Sequence, residues 1–124
     1  MGHPVRLSVT VITLNEERNI GRCLDSVLPV ADEIVVIDSK STDRTREICK
    51  ARGARVIEQP FLGYAEQKNF ATEQATHRHL LSLDADECLS PELATLIAGV
   101  KQDWSADAYT MNLYDNYYLS LIHI

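Results

Sequence analysis

Apolar and polar positions along this chain switch repeatedly between a strand-like and a helix-like period. Residues 7–13 are a β-branched apolar run that reads as a strand, followed by polar residues 14–18. Ile20, Cys23, Leu24, Val27 and Leu28 then recur at helical spacing on one stripe; Asn19 is placed to cap the start, and Pro29 forces an end near Leu28. Residues 33–37 predict a second strand that ends at Asp38. A polar stretch leads into a helix carrying Thr45, Ile48 and Cys49, which runs to about Arg52 with Gly53 as its left-handed stop. Residues 55–58 predict a third strand, 60–63 a break, 64–75 a helix and 79–83 a fourth strand. Ser90 caps a further helix with Pro91 at its first position and Glu92 in its first turn, and 108–113 predict a fifth strand. Strands alternating with helices imply an α/β fold, a mostly parallel sheet with helices on both faces.

The fourth strand runs straight into Asp84, Ala85, Asp86 and Glu87. Two carboxylates one residue apart at a strand's end sit at the sheet's carboxyl edge, where α/β proteins bind ligands. A hard divalent cation, Mg2+ or Mn2+, takes oxygen ligands and leaves places open for substrate phosphates, so such a pair suffices to tie a diphosphate to the protein. The polar segments after the first, second and fourth strands all face that edge, bringing Glu16, Asp38 and the acidic pair toward one site. Each segment has a plainer alternative. Residues 38–43 alone also suit an Asx turn and helix cap, and Glu16 with Glu17 a solvated pair before a helix.

Length and charge narrow the picture. The chain has 124 residues, one domain's length, with 45% hydrophobic and 24% charged residues, the composition of an ordered globular protein. A formal charge of -6 argues against non-specific nucleic-acid binding and against a polybasic membrane patch, so an anionic substrate needs the metal. Cys23, Cys49 and Cys88 are an odd count without pair spacing, read as reduced and buried. Residues 1–6 lack a signal-peptide core, no run reaches membrane-spanning length, and a cytoplasmic protein is expected. His3, His77, His79 and His123 show no ligand or triad spacing, and Trp104 is expected to pack a helix end.

Four motifs carry a resemblance. Val11, Ile12, Thr13, Leu14, Asn15, Glu16 and Glu17, then 34–38 leading into Ser41, Thr42 and Asp43, then Lys68 and Asn69, then Asp84, Ala85 and Asp86 resemble, in order and spacing, the amino-terminal half of a family 2 glycosyltransferase. Within that family the chain looks most like bacterial β-glucosyltransferases of lipopolysaccharide core assembly. The resemblance implies the Rossmann-like glycosyltransferase A fold of nucleotide-diphospho-sugar transferases, and an inverting transfer of a hexose, glucose first, from a UDP-sugar to a lipopolysaccharide core or other glycan acceptor. It implies that Ile12, Leu14 and Glu16 line the nucleotide pocket and that Asp38 contacts the base. It further implies that Asp84, Ala85 and Asp86 meet the diphosphate, with Asp86 and Asp84 holding Mg2+ or Mn2+. Lys68 falls where many relatives have an arginine near the nucleotide; a solvated helix residue is its alternative. The acceptor implies peripheral association with the inner face of a bacterial inner membrane.

Residues 1–113 are thus expected to be the nucleotide-sugar-binding half of a truncated transferase domain, with the general base beyond the chain's end. Residues 114–124 are expected to be a divergent tail of foreign origin, since Leu119 to Ile124 resembles the translation of a common sequencing adapter; a genuine terminal strand is the alternative. Truncation there predicts an unpaired sheet edge beside the acidic pair. Two rivals remain: a non-catalytic nucleotide-binding fragment, and an aspartate-nucleophile phosphatase, which wants Thr or Val where Cys88 stands.

Overall fold

The computed structural model describes residues 4–102, 108–113 and 117–123, with side chains through residue 102. Each predicted element is present: β1 (Leu7–Thr13), α1 (Ile20–Val27), β2 (Glu33–Asp38), α2 (Thr45–Ala51), β3 (Arg55–Glu58), α3 (Tyr64–Gln74), β4 (His79–Asp84), α4 (Pro91–Gln102) and β5 (Ala108–Leu113). A sixth strand, β6 (Tyr117–His123), follows. The sheet order is β3-β2-β1-β4-β6-β5, in which β3, β2, β1 and β4 are parallel and β6 runs antiparallel to both its neighbours. His3 and Trp104 lie outside the described residues.

Register aligns the carboxyl ends of the central strands. Thr13 pairs with Asp38, Ile12 with Asp84, and Asp38 with Glu58, so the acidic ends form one row across the sheet. Alternation along the strands splits the core in two, as period-two side chains require. Leu7, Val9, Val11, Val36, Leu81 and Leu83 pack under α1, α2 and α4, with Ile20, Leu24, Val27, Cys49, Leu93 and Ile97 from the helices. Val35, Ile37, Ile12 and Ile57 face α3 through Phe70 and Ala71. The α1 stripe of Ile20, Cys23, Leu24 and Val27 is fully buried, at about 1.5–3 kcal/mol for each large side chain.

The helix ends follow their punctuation with one exception. Ser90 Oγ accepts the Leu93 N–H at 3.1 Å, and Gly53 adopts φ +80° past α2. Asn19, expected to cap α1, makes no side-chain cap bond; the Glu16 carbonyl accepts the N–H groups of both Asn19 and Ile20, so a backbone turn starts the helix. The unpaired edge expected beside the acidic pair is also corrected. β6 pairs with β4 from His79 to Ser82 and separates it from β5, because an antiparallel return satisfies the ladder groups β4 would otherwise leave open.

Candidate active site

Two loops at the carboxyl edge are stitched into one surface. Asn15, at the turn after β1, takes a left-handed φ of 53°, and its side-chain oxygen accepts the N–H groups of Thr42 at 2.8 Å and Asp43 at 3.3 Å. Its own N–H donates to Ser41 Oγ at 2.8 Å, and the Glu16 N–H donates to Thr45 Oγ1 at 2.8 Å. Asp43 closes the seam. It accepts the Glu17 N–H and both the hydroxyl and the N–H of Thr45. Burial raises the Asp43 carboxyl, but these donors together outweigh it and hold it below the usual carboxylate range.

Beneath this seam Asp38 is wholly buried. One carboxylate oxygen accepts Thr13 Oγ1 at 2.7 Å and Ser41 Oγ at 2.6 Å, the other accepts the Ser41 N–H at 2.8 Å, and Arg46 Nε lies 3.8 Å away. Arg46 also pairs with Glu58 and donates to the Ser41 carbonyl. Asp38, expected to contact a base, has its oxygens engaged here in holding the loop, and none of its side chain reaches solvent. The Asx-turn alternative describes its local geometry.

The other expected residues converge. Ile12, Leu14 and Glu16 from the end of β1, together with Asp84, Ala85 and Asp86 from the end of β4, line a single pocket of about 410 Å³. Ala85 is buried, which lets the backbone between the two acids approach the sheet. Asp84 and Asp86 stay exposed, the first opening and the second inside a tight turn in which the Glu87 N–H donates to the Asp84 carbonyl while Glu87 Oε1 accepts the Asp84 N–H at 2.7 Å. Lys68, from the middle of α3, brings Nζ within 3.4 Å of Asp84 Oδ1. A cation is thus already directed at the acidic pair, and the solvated-helix alternative describes only half of Lys68, which is 47% exposed.

Several lining residues had been given no site role from the sequence. Thr13, Ser39, Phe61 and Tyr64 complete the pocket. Gln67, wholly buried, donates to Ser39 Oγ and to the Gln59 carbonyl, both at 3.1 Å, and accepts the Leu62 N–H at 3.2 Å. A polar residue on the inward side of α3 was the available clue.

The donor set suits a hard cation. Asp84 and Asp86 offer only oxygen, both are solvent-accessible, and among the described residues no group of three or more His, Cys, Asp or Glu gathers as a closed metal cage. Two carboxylates with phosphate and water filling the remaining positions is the arrangement Mg2+ and Mn2+ adopt with nucleotides. Such an ion, when bound, supplies charge neutralisation to a departing diphosphate.

A largely parallel α/β sheet with a pocket at the carboxyl ends of its central strands is the arrangement in which α/β proteins bind ligands. The chain belongs to glycosyl transferase family 2, whose family model matches residues 8–118. It is 42% identical over 104 residues to an uncharacterised glycosyltransferase of Rickettsia typhi, covering 84% of this chain and 36% of that protein. To the lipopolysaccharide core biosynthesis glycosyltransferase LpsC of Rhizobium meliloti it is 40% identical over 96 residues, 73% of this chain and 35% of the relative. The chain therefore spans about a third of the length of these relatives.

Solved structures agree on the glycosyltransferase A fold. The mannosyltransferase PcManGT of Pyrobaculum calidifontis, in complex with GDP-Man and Mn2+, superposes with a TM-score of 0.70 at 29% identity, covering 86% of this chain and 35% of that one. Glucosyl-3-phosphoglycerate synthase of Mycobacterium tuberculosis, in complex with Mn2+, UDP and glucosyl-3-phosphoglycerate, gives 0.58 at 30% identity, covering 65% and 33%.

Proposed function

We propose that this chain forms the donor-binding half of an inverting glycosyltransferase that moves a hexose from a UDP-sugar, glucose first, to a lipopolysaccharide core acceptor. The observation that carries this reading is the convergence of the β1 end and the Asp84–Asp86 turn on one pocket, with Lys68 paired to Asp84. Ile12 and Leu14 give the nucleoside an apolar wall, Glu16 accepts hydrogen bonds from base or ribose, and Asp86 with Asp84 holds Mg2+ or Mn2+ against the diphosphate. Lys68 gives the phosphates a point charge rather than a planar fork. The relative LpsC, a lipopolysaccharide core enzyme, supports the acceptor class, and neighbours in complex with Mn2+ support the metal.

None of the pocket's acids is assigned as the general base, whose task is to take the acceptor hydroxyl proton; that role falls to a segment on the acceptor side. The acceptor places the working enzyme in the cytoplasm against the inner face of the membrane. Among the described residues no helix is long and apolar enough to cross one.

Calorimetry tests the donor site. UDP is expected to bind more tightly with Mn2+ than with chelator, and Asp86→Ala is expected to abolish the difference, because the metal screens phosphates that Asp84, Asp86 and Glu16 would otherwise repel. Equal UDP affinity with and without metal rejects the proposed site. Acceptor-dependent release of UDP separates a transferase from a module that only binds nucleotide.

A further inference from the structure

The two acids of the pocket carry free side chains on a fixed backbone. Asp84 and Asp86 are exposed, whereas Ala85 between them and Cys88 and Leu89 just after them are buried. Ala85 and Leu89 belong to the same core cluster as Ile20, Cys23, Leu24 and Val27 of α1, so the acidic turn is seated on that helix.

The helix also holds the turn by hydrogen bonds. Cys23 Sγ donates to the Asp84 carbonyl at 3.7 Å, and the same carbonyl accepts the Glu87 N–H at 2.9 Å. Ser26 Oγ accepts the Leu89 N–H at 2.9 Å and donates to the Cys23 carbonyl at 2.6 Å, so its own helix fixes the orientation of the hydroxyl. Residues three apart share a helix face, and here one grips the entry to the turn while the other grips its exit. Neither side chain lines the pocket.

The other end of α1 is tied to a different carboxylate of the pocket. The Glu16 carbonyl accepts the N–H groups of Asn19 and Ile20 that start the helix, and the Glu16 side chain lines the pocket from the end of β1. An eight-residue helix is stiff over this span. We infer that α1 is the strut that sets the Asp84–Asp86 turn against Glu16, with Cys23 and Ser26 as positioning residues for the carboxylates that hold the metal. The inference rests on the proposed donor site and adds to it the bonds that keep its ligands in place. A hard cation gains from ligands whose backbone is already ordered, and a turn released from α1 has to be ordered again on each binding event.

The test uses the full chain as wild type, Ser26→Ala, Ser26→Thr, Cys23→Ala and Thr76→Ala, the last removing a hydrogen bond to Glu33 at the opposite edge of the sheet. Calorimetry of UDP with Mn2+ and with chelator gives the increase in affinity that the metal brings, and electron paramagnetic resonance of free aqueous Mn2+ reads metal binding in the presence of UDP. Circular dichroism melts set a temperature at which every protein is folded. Ser26→Ala is expected to lower the metal-dependent increase by about 10-fold, the low end for outer partners of metal ligands, and to leave UDP affinity in chelator unchanged. Cys23→Ala is expected to move the same way by less, because a thiol is a weak donor. Ser26→Thr, whose hydroxyl can bond the same helix carbonyl, is expected to stay within about twofold of wild type, and Thr76→Ala to keep the whole increase. An undiminished increase in Ser26→Ala overturns the strut and leaves the donor site standing. So does an equal loss in chelator, a Ser26→Thr defect as large as that of alanine, or the same loss in Thr76→Ala. Should Ser26→Ala not fold, Cys23→Ala decides the matter by the same criteria. A wild-type chain that binds UDP equally with and without Mn2+ overturns the donor site and the strut together.

Discussion

Replacing Asp38 by alanine removes the acceptor on which three donors converge. The Thr13 hydroxyl, the Ser41 hydroxyl and the Ser41 N–H lie 2.7, 2.6 and 2.8 Å from its oxygens, and Thr13, Asp38 and Ser41 are all buried. The two hydroxyls can rotate in search of other partners, but the Ser41 N–H is fixed by the backbone. Each buried donor left unpaired costs about 1–3 kcal/mol, so the expected loss is about 3–5 kcal/mol once partial rescue of the hydroxyls is allowed. That is a large share of the ~5–15 kcal/mol typical of a whole domain. Urea unfolding followed by circular dichroism reads the loss directly, as a midpoint lowered by about 2 M for a slope near 2 kcal/mol per molar. Asp38→Asn tests the same reasoning from another side, since its amide group turns a donor toward one of the donors the carboxylate satisfied. A stability loss under about 1 kcal/mol for Asp38→Ala, accompanied by a selective loss of UDP affinity, refutes the loop-holding role and restores a direct contact with the base.

Acid sensitivity is expected from the opposite end of the sheet. Burial raises the carboxyls of Asp32 and Glu33, but Lys101 and the Leu7 N–H outweigh it at Asp32, and Thr76, Ser8 and Arg55 outweigh it at Glu33, so both titrate below their ordinary values of 3.8 and 4.5. A depressed native pKa gives stability that is present above the unfolded value and is lost as pH falls through the native one; the Asp32→Asn, Glu33→Gln double variant should therefore lose less stability than wild type on acidification below pH 4.5, as measured by urea melts. Gly63→Ala forces a side chain into a glycine-only conformation and against the Glu66 carboxylate, and thermal melts should show it destabilised by about 1–3 kcal/mol. Burial pushes the Cys23 and Cys49 thiols up to about 12, so mass spectrometry should find both unmodified by a thiol reagent at pH 8 until urea is added.

Much of the scaffold was legible because it depends on local pattern. The strands at 33–37 and 79–83 are apolar runs that end at carboxylates, and α1 shows one clean stripe. The acidic pair was legible for the same reason, since a strand's end fixes where its next residues lie. Asp38 was harder. Only pairing places Thr13 opposite it, and only the fold of the following turn brings Ser41 back onto its oxygens, so spacing alone could not distinguish a ligand contact from a loop brace. Tyr117–His123 carries neither period, and its strand became visible through its pairing with β4. Phe61 lies in a segment read as a break and Tyr64 opens the helix that follows, where hydrophobicity gives no indication of which rings stay in water. Gln67 sits one residue before Lys68, and helical geometry sends the first inward to the loops and the second outward to Asp84.

The seam between the loops after β1 and β2 has a consequence for how such proteins diversify. Asn15 serves Thr42 and Asp43, Ser41 serves Asn15, Thr45 serves Glu16, and Asp38 serves both Thr13 and Ser41, so neither loop completes its own hydrogen bonds. A chimera that imports one loop from a distant relative and keeps the other inherits half of a reciprocal arrangement. The two segments, more than twenty residues apart in the chain, form one unit of inheritance, and recombination that respects this partnership has to cut before β1 and after Thr45 rather than between them.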